Sequence, residues 1–126
     1  MLRLLLDTHV LLWWCAGSKQ LKKPVQDIIV DPDNEIFVSA ASGYEIAIKR
    51  ALGKLETTDN LNAQVDKEGF VHLPVTFFHA EQAGQLPFHH RDPFDRILIA
   101  QAQAEGLIVV TRDANFHHYG VRTITA

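Results

Sequence analysis

The stretch DPFDRILIAQAQAEGLIVVTRD, residues 92–113, decides the fold that this sequence predicts. Asp92 precedes Pro93, a residue tolerated in a first helical turn, so Asp92 is a natural N-cap. The apolar side chains that follow recur with the helical period, at Phe94, Ile97, Leu98 and Ala102. Gly106 ends this helix, and the apolar run 107–110 is typical of a strand buried on both faces. We therefore predict a helix over residues 93–105 that leads directly into a buried strand.

The rest of the chain repeats this alternation of apolar runs and helical patterns. Further strands are predicted at residues 2–6, 35–38, 70–75 and 121–124, and further helices at residues 10–16, 22–30, 41–52, 57–67 and 76–84. Pro74 interrupts the strand at 70–75, which favours an edge position for it. Alternating strands and helices indicate a parallel sheet covered on both faces. The sequence thus predicts one α/β domain over residues 1–126, with three layers, α/β/α, around a central parallel sheet of about five strands.

Composition excludes several classes of function. The 126 residues carry a net charge of −3, so any nucleic-acid surface must be a local patch on an acidic protein. The single cysteine, Cys15, excludes an internal disulfide and suits the cytoplasm. No Cys or His pattern has zinc-site spacing, and the adjacent pairs His89-His90 and His117-His118 would rarely face one metal together. The apolar start of the chain is too short and too polar for a membrane span, so no membrane role is expected.

Four acidic residues fall where such a sheet would gather them. Asp7 and Asp113 follow buried strands, Asp95 lies in the first turn of a helix, and Glu45 lies less than two turns into another. Ligands of open parallel sheets bind beyond the carboxyl ends of the strands, and clustered carboxylates are tolerated chiefly around a cation. The residues alone also allow another interpretation. In it the aspartates only cap helices, and Glu45 only forms a surface ion pair with Lys49.

A series of short motifs runs in order through nearly the whole chain. LLLDTH stands at residues 4–9, Ser39 is followed by Glu45 and by GKL at 53–55, DPFDR at 92–96 leads into IAQA at 99–102, and TRD at 111–113 precedes Phe116. Each motif is weak on its own, but the ordered set is specific. With this order and spacing the chain resembles the PIN-domain ribonucleases, and in particular the VapC toxins of bacterial toxin–antitoxin pairs.

The resemblance implies a catalytic acidic quartet at Asp7, Glu45, Asp95 and Asp113. In the family, these residues bind Mg²⁺ or Mn²⁺ and direct water at an RNA phosphodiester. Mg²⁺ takes oxygen ligands and retains several waters, so two or three carboxylates suffice for one ion. We assign Asp7, Asp95 and Asp113 as the metal ligands. Glu45 is a ligand through water, or the group that orients the nucleophile.

Four auxiliary residues are expected around the quartet. Asp92 matches an extra acid that often precedes the third member of the quartet. Asn115 stands where some members of the family carry a further acid, and a neutral amide is a weaker ligand. The hydroxyls of Thr8 and Thr111 are predicted either to hydrogen-bond the carboxylates or to cap helices.

RNA is a polyanion, so cations near the acids must offset the repulsion. The candidate RNA contacts are Lys49, Arg50, Lys54, Arg91, Arg96 and Arg112. Each of them also fits an ordinary solvated side chain, and Arg96 fits an ion pair with a carboxylate. The histidines at 89, 90, 117 and 118 flank the same edge of the sheet.

Trp13 and Trp14 follow the first strand on a mostly apolar helix. Adjacent side chains point about 100° apart on a helix, so both rings cannot easily face one core. One ring is then exposed as a partner surface, or both are buried at a helix–helix contact. The resemblance implies an antitoxin protein as the partner at this surface, and a homodimer of the chain itself.

Two other functions remain open at the level of sequence. Asp7 ends a first strand, as does the nucleophile of haloacid-dehalogenase-like phosphotransferases, but His9 stands where those enzymes usually carry a second aspartate. A non-catalytic RNA- or protein-binding module would use the acids only to hold a structural cation. Cleavage of RNA with Mg²⁺ distinguishes the nuclease from both alternatives.

Overall fold

The computed structural model describes residues 1–57 and 60–126. The strands are β1 (Arg3–Leu6), β2 (Glu35–Ser39), β3 (Val71–Leu73), β4 (Ile108–Thr111) and β5 (Thr123–Thr125). The α-helices are α1 (Thr8–Cys15), α2 (Lys23–Val30), α3 (Ala40–Ala51), α4 (Leu61–Lys67), α5 (Phe77–Gln85) and α6 (Pro93–Glu105). A 3₁₀ helix, Ala114–Tyr119, lies between β4 and β5.

The strands form one sheet in the order β3-β2-β1-β4-β5, and every neighbouring pair is parallel. β1 lies in the centre, with Leu6 beside Val110 of β4. The chain winds outward from β1 in one direction through β2 and β3, and in the other through β4 and β5. The order of strands therefore reverses between β1 and β4, which is the position where open α/β sheets bind ligands.

Helices cover the two faces of the sheet. Successive strand residues point to opposite faces, so Leu4 and Leu6 of β1 belong to one core and Leu5 belongs to the other. The first core contains residues of α1, α2, α3 and α4, and the second contains residues of α6 and Phe116 of the 3₁₀ helix. The predicted three-layer α/β/α architecture with a five-strand parallel sheet is confirmed.

The predicted elements differ from the observed ones mainly at their ends. The strand predicted at 70–75 is the short edge strand β3, as Pro74 indicated. The 3₁₀ helix Ala114–Tyr119 was not predicted, because its two histidines and single buried phenylalanine give no helical period. The helix predicted from Thr57 onward begins at Leu61 with Asn60 as its cap, while the predicted start at Thr58 and Asp59 lies outside the described residues.

Within the described residues, every helix is too short or too polar to cross a membrane.

Candidate active site

The site is built at the carboxyl ends of the two central strands. Asp7 follows β1 directly, is 6% exposed and is the N-cap of α1, where its Oδ1 accepts a hydrogen bond of 2.8 Å from the backbone N–H of Val10. Its other oxygen, Oδ2, accepts a hydrogen bond from the hydroxyl of Thr111, the last residue of β4. Oδ1 of Asp7 therefore caps α1, and Oδ2 binds the neighbouring strand β4 through Thr111.

Asp113 repeats this arrangement one strand away. Its Oδ1 accepts from the backbone N–H of Asn115 at 2.9 Å and caps the 3₁₀ helix, while its Oδ2 points toward His90. The hydroxyl oxygen of Thr111 accepts from the backbone N–H of Asp113 at 3.0 Å. Thr111 thus contacts both Asp7 and Asp113, as its predicted auxiliary role requires, whereas Asn115 enters the site through its backbone.

Asp95 comes from the first turn of α6 and is not the cap of that helix. The cap is Asp92, whose Oδ1 accepts from the backbone N–H groups of Phe94 and Asp95 at 2.9 and 3.0 Å. Asp95 is thereby free to direct its Oδ2 to the imidazole of His90, 2.8 Å away. The same ring nitrogen lies 3.2 Å from Oδ2 of Asp113.

His90 is the site residue that the sequence did not identify. The ligand atoms of His90, Asp95 and Asp113 lie within 4.8 Å of one another, a group that could hold a metal ion. Its neighbour His89 instead faces the rings of His118 and Tyr119, with centroids 5.3 and 5.4 Å away. Adjacent histidines do face apart, as expected, but one member of the pair still reaches the acids.

Burial and mutual repulsion perturb two of the acids. Burial raises the pKa of Asp95 to about 7, and the charge of Asp92 adds to this rise, while the hydrogen bond from His90 opposes it. Burial also raises the pKa of Asp7, against the hydrogen bonds from Thr111 and Val10. The negative charge of Asp7 adds to the rise in the pKa of Asp95, and the charge of Asp113 adds to the rise in the pKa of Asp7. Among the described residues, His90, Asp95 and Asp113 form the one group with ligand atoms this close together, and neither Asp7 nor Glu45 belongs to it.

Glu45 lies on α3 at the same end of the sheet. The hydroxyl of Thr8 donates to that of Ser42 at 3.0 Å, which ties the start of α1 to the face of α3 that Ser42 and Glu45 share. Thr8 therefore binds a hydroxyl and not a carboxylate, and Asp7 instead of Thr8 caps α1, so both predicted roles of Thr8 were wrong. Glu45 is 5% exposed, and its Oε2 accepts from Lys49 at 2.9 Å, so the predicted ion pair also forms.

A divalent cation fits this set of groups. Oε1 of Glu45 is buried and finds no hydrogen-bond partner within residues 1–57 and 60–126. A buried carboxylate oxygen without a partner is costly, and so are like charges held together. A cation bound at Asp95 and Asp113 would relieve the repulsion between the acids, and a water on that cation could give Oε1 of Glu45 a hydrogen-bond donor. Oxygen ligands are those that Mg²⁺ prefers.

The predicted RNA contacts divide into exposed and engaged side chains. Lys54 and Arg91 are exposed, and Lys49 is paired with Glu45. Arg112 is exposed, but its guanidinium donates to the backbone oxygens of Ala126 and Gln20 and lies 4.3 Å from the ring centroid of Trp13. Arg50 lines a groove beside α4 and already interacts with another group of the protein, so it is not a free cation.

Arg96 is buried, at 6% exposed, which corrects its prediction as an RNA contact. Within residues 1–57 and 60–126, no carboxylate pairs with its guanidinium. It donates to four backbone carbonyls of the segment before α6, those of Ala83, Leu86, Pro87 and His90, over 2.7 to 3.1 Å. Phe88 covers it, with the guanidinium carbon 4.5 Å from the ring centroid. Arg96 therefore fixes the segment that delivers His90 to the acids.

Both tryptophans of α1 are half-buried, so neither predicted alternative holds in full. Trp14 packs against Phe70, with ring centroids 6.2 Å apart. Trp13 lines an open apolar groove of about 660 Å³ together with His9, Leu12, Leu55 and Leu61.

Comparisons with known proteins agree with this fold. The chain matches the family model of the PIN domain over residues 4–121. It is 31% identical over 134 residues to Ribonuclease VapC22 of Mycobacterium tuberculosis, covering 99% of this chain and 98% of that protein. Two solved structures are similar over 98% of both chains: VapBC2 of Rickettsia felis, with a TM-score of 0.71 at 13% identity, and DNA-bound VapBC of Salmonella typhimurium, with a TM-score of 0.70 at 18% identity.

Proposed function

This chain belongs to the PIN-domain family, in its VapC-type branch, and from this premise we propose that it is a divalent-metal-dependent endoribonuclease, the toxin of a toxin–antitoxin pair. The observation that supports the proposal is the meeting of Asp95 and Asp113 at His90, with ligand atoms within 4.8 Å of one another, beside the buried Asp7. Nearby on α3, Oε1 of Glu45 is buried and has no hydrogen-bond partner among the described residues. The relative with 31% identity is named a ribonuclease. Mg²⁺ or Mn²⁺ is the proposed cofactor.

Different residues of the chain have different roles in the proposed hydrolysis. A bound divalent cation supplies Lewis acidity and a water of lowered pKa. Asp7, Asp95 and Asp113 would hold the cation, with Thr111 fixing the rotamer of Asp7. Oε1 of Glu45, which has no partner among the described residues, would accept a hydrogen bond from the attacking water and orient it. Lys49 keeps the carboxylate of Glu45 in position through its Oε2.

Asp7 is poorly placed for the phosphotransferase alternative. Each of its oxygens already accepts a hydrogen bond, from Val10 and from Thr111, and the side chain is buried. These hydrogen bonds and the burial of the side chain lower the nucleophilicity and the access of the carboxylate oxygens, whereas a cation ligand can accept both bonds and still use a remaining lone pair. The single cysteine is also a poor candidate for a nucleophile. Burial raises the pKa of the Cys15 thiol to about 11, which leaves little thiolate at neutral pH.

We propose that the exposed Arg91 and Lys54 contact the phosphates of the RNA, and that Lys49, Arg50 and Arg112, which have other interactions in the protein, contribute positive charge. Arg91 stands next to Asp92 at the start of α6, and therefore close to the scissile bond. The buried Arg96 has no part in this surface. We also propose that the protein acts in the cytoplasm, where it would meet cellular RNA.

We propose that an antitoxin segment binds in the groove beside α1 that Trp13 lines. Half-buried apolar side chains at an open groove suit an amphipathic segment, which lays its apolar side against them. A toxin–antitoxin complex from Klebsiella pneumoniae is similar to this chain over 96% of its length, with a TM-score of 0.66 at 20% identity. A homodimer is a second proposed assembly, because large hydrophobic side chains lie exposed elsewhere, at Tyr44, Phe77, Phe78 and Phe88. Sedimentation velocity of the purified chain tests the dimer.

RNA cleavage with controlled metal content tests the central proposal. The wild type should cleave single-stranded RNA internally in Mg²⁺ or Mn²⁺, and should stop in excess EDTA. Asp113→Asn should lose at least about two orders of magnitude in rate, because a proposed metal ligand is gone. Asp27→Asn is the matched control, since Asp27 is an exposed acid on α2 that pairs with Lys23. Undiminished cleavage in EDTA, or by Asp113→Asn, would refute the proposal.

A further inference from the structure

The imidazole of His90 lies between two carboxylates of the site. Its Nε2 is 2.8 Å from Oδ2 of Asp95 and 3.2 Å from Oδ2 of Asp113, and the side chain is only 12% exposed. One ring nitrogen thus occupies the space that both oxygens face. Since a nitrogen with its proton has one hydrogen to give, at most one of these contacts is a full hydrogen bond.

The position of His90 is fixed from both sides of its backbone. Its N–H donates to the hydroxyl of Tyr119 at 2.7 Å, and that hydroxyl donates to the carbonyl of Pro87 at 2.6 Å. Its carbonyl accepts from the buried guanidinium of Arg96 at 3.0 Å. The ring meets Phe116 edge-on, with centroids 6.0 Å apart. Side chains that a protein holds this firmly at a group of acids are preorganised for a ligand.

Resting on the proposed metal-dependent function, we propose that Nε2 of His90 is a direct ligand of the cation, beside Asp95 and Asp113, and that it makes the site favour Mn²⁺ over Mg²⁺. To bind through Nε2, the ring carries its proton on Nδ1. Imidazole nitrogen suits transition metals, while Mg²⁺ takes almost only oxygen. A site of carboxylates alone would distinguish the two ions less, because carboxylates suit both.

Pulsed electron paramagnetic resonance of the Mn²⁺-loaded protein tests the ligand directly. Mn²⁺ bound to a histidine nitrogen shows a ¹⁴N coupling in its electron spin echo. We expect this coupling in the wild type, its loss in His90→Gln and in His90→Ala, and its retention in His89→Gln. His89 is the matched control because it faces His118 and Tyr119 instead of the acids.

Calorimetric titration with Mn²⁺ and with Mg²⁺ tests the selectivity. His90→Gln should weaken Mn²⁺ binding at least about tenfold and leave Mg²⁺ binding within about twofold. The proposal is wrong if Mn²⁺ binds the wild type without a ¹⁴N coupling, or if removal of His90 strengthens the binding of both ions. The second result would show that His90 competes with the cation.

The outcomes distinguish a failure of His90 as a metal ligand from a failure of the proposed metal-dependent nuclease. Mn²⁺ that binds and supports cleavage without a ¹⁴N coupling leaves the proposed nuclease intact and removes only His90 from the ligands. A protein that binds neither ion contradicts both. The echo of the wild type is informative even if a His90 variant fails to fold.

Discussion

The hydroxyl of Thr111 at the end of β4 donates a hydrogen bond to Oδ2 of Asp7 at the end of β1, across 104 positions of sequence. The same hydroxyl oxygen accepts from the backbone N–H of Asp113. A single buried side chain therefore sets the positions of two proposed cation ligands on neighbouring strands. This relationship makes Thr111 a positioning residue.

Replacement of Thr111 by valine should weaken the site while the shape of the core is kept. Asp7 Oδ2 and the N–H of Asp113 both lose a partner, so we expect the free energy of unfolding to fall by about 1 to 3 kcal/mol. Metal affinity should fall about 10- to 100-fold, as for other groups that orient ligands. Thr111→Ser keeps the hydroxyl and should restore most of the affinity. Equal affinities of Thr111→Val and wild type in a calorimetric titration would contradict this role.

Replacement of Asp95 by asparagine should separate the roles of ligand and cap. It removes one of the crowded charges, so the metal-free variant should melt at or above the wild type. Saturating Mg²⁺ should raise the melting temperature of the wild type more than that of Asp95→Asn, because a ligand is gone.

Asp92→Ala is the contrasting variant. It removes the cap of α6, so it should cost about 1 kcal/mol of stability, yet keep the response to Mg²⁺. Melting curves could show the reverse, with the Mg²⁺ response lost in Asp92→Ala and retained in Asp95→Asn. Asp92 would then be the metal ligand, and Asp95 would not.

The raised pKa of Asp95 predicts how the stability of the metal-free protein depends on pH. In the window between 3.8 and about 7 the folded state holds a proton that the unfolded chain has lost. The free energy of unfolding should therefore fall as pH rises through this window. The buried Asp7, whose pKa is also raised, adds to the same slope.

Urea denaturation in metal-free buffer, at pH values from 4 to 7.5, measures this slope. Asp95→Asn cannot titrate at this position, so its curve should be flatter than that of the wild type. Saturating Mn²⁺ should flatten or reverse the wild-type slope, because carboxylates bind the ion in their deprotonated form. Identical slopes for the two metal-free proteins would show that Asp95 does not hold its proton in the folded state.

Arg96 and Arg91 should respond to substitution in opposite ways. Arg96→Leu leaves four backbone carbonyls without their donor, so we expect a loss of stability of at least about 3 kcal/mol. Arg91→Gln should leave stability unchanged and reduce the salt slope of RNA binding by about 0.7, the value for one phosphate contact on a single strand.

Binding of a short RNA in the inactive Asp95→Asn background, at several salt concentrations, measures the slope for Arg91. Lys23→Gln is the control, because Lys23 is an exposed cation on α2 that pairs with Asp27. A slope that Arg91→Gln and Lys23→Gln reduce equally would argue against a specific contact at Arg91.

Trp13 should anchor the proposed antitoxin. Loss of a tryptophan that lines a binding groove typically costs 2 kcal/mol or more, so Trp13→Ala should weaken antitoxin binding by about 30-fold. Val30→Ala removes an exposed apolar side chain from α2 and should have no effect. Titration of both variants with the antitoxin, after circular dichroism has shown that they are folded, measures the difference. Unchanged affinity in Trp13→Ala would place the antitoxin elsewhere.

The sequence by itself determined the order of the elements and the edge where the acids meet. Apolar runs such as residues 107–110 and the helical period after Asp92 are local patterns, and parallel connections leave few ways to arrange them. It could not decide whether Asp7 and Asp113 were caps or ligands. The structure shows that each is a cap through Oδ1 and faces the site through Oδ2. The two interpretations were never exclusive, because a carboxylate has two oxygens.

Only the tertiary structure decided which neighbours of the acids belong to the site. His90 and Arg96 stand in the same short stretch of sequence, and both carry nitrogen groups that suit a surface near RNA. The packing of α5 against α6 buries Arg96 among backbone carbonyls and turns His90 toward Asp95 and Asp113. No local pattern encodes this outcome, since it depends on which groups become buried together when distant segments meet. Burial then sets the cost of every unpaired polar atom, and that cost determines the partner each side chain takes.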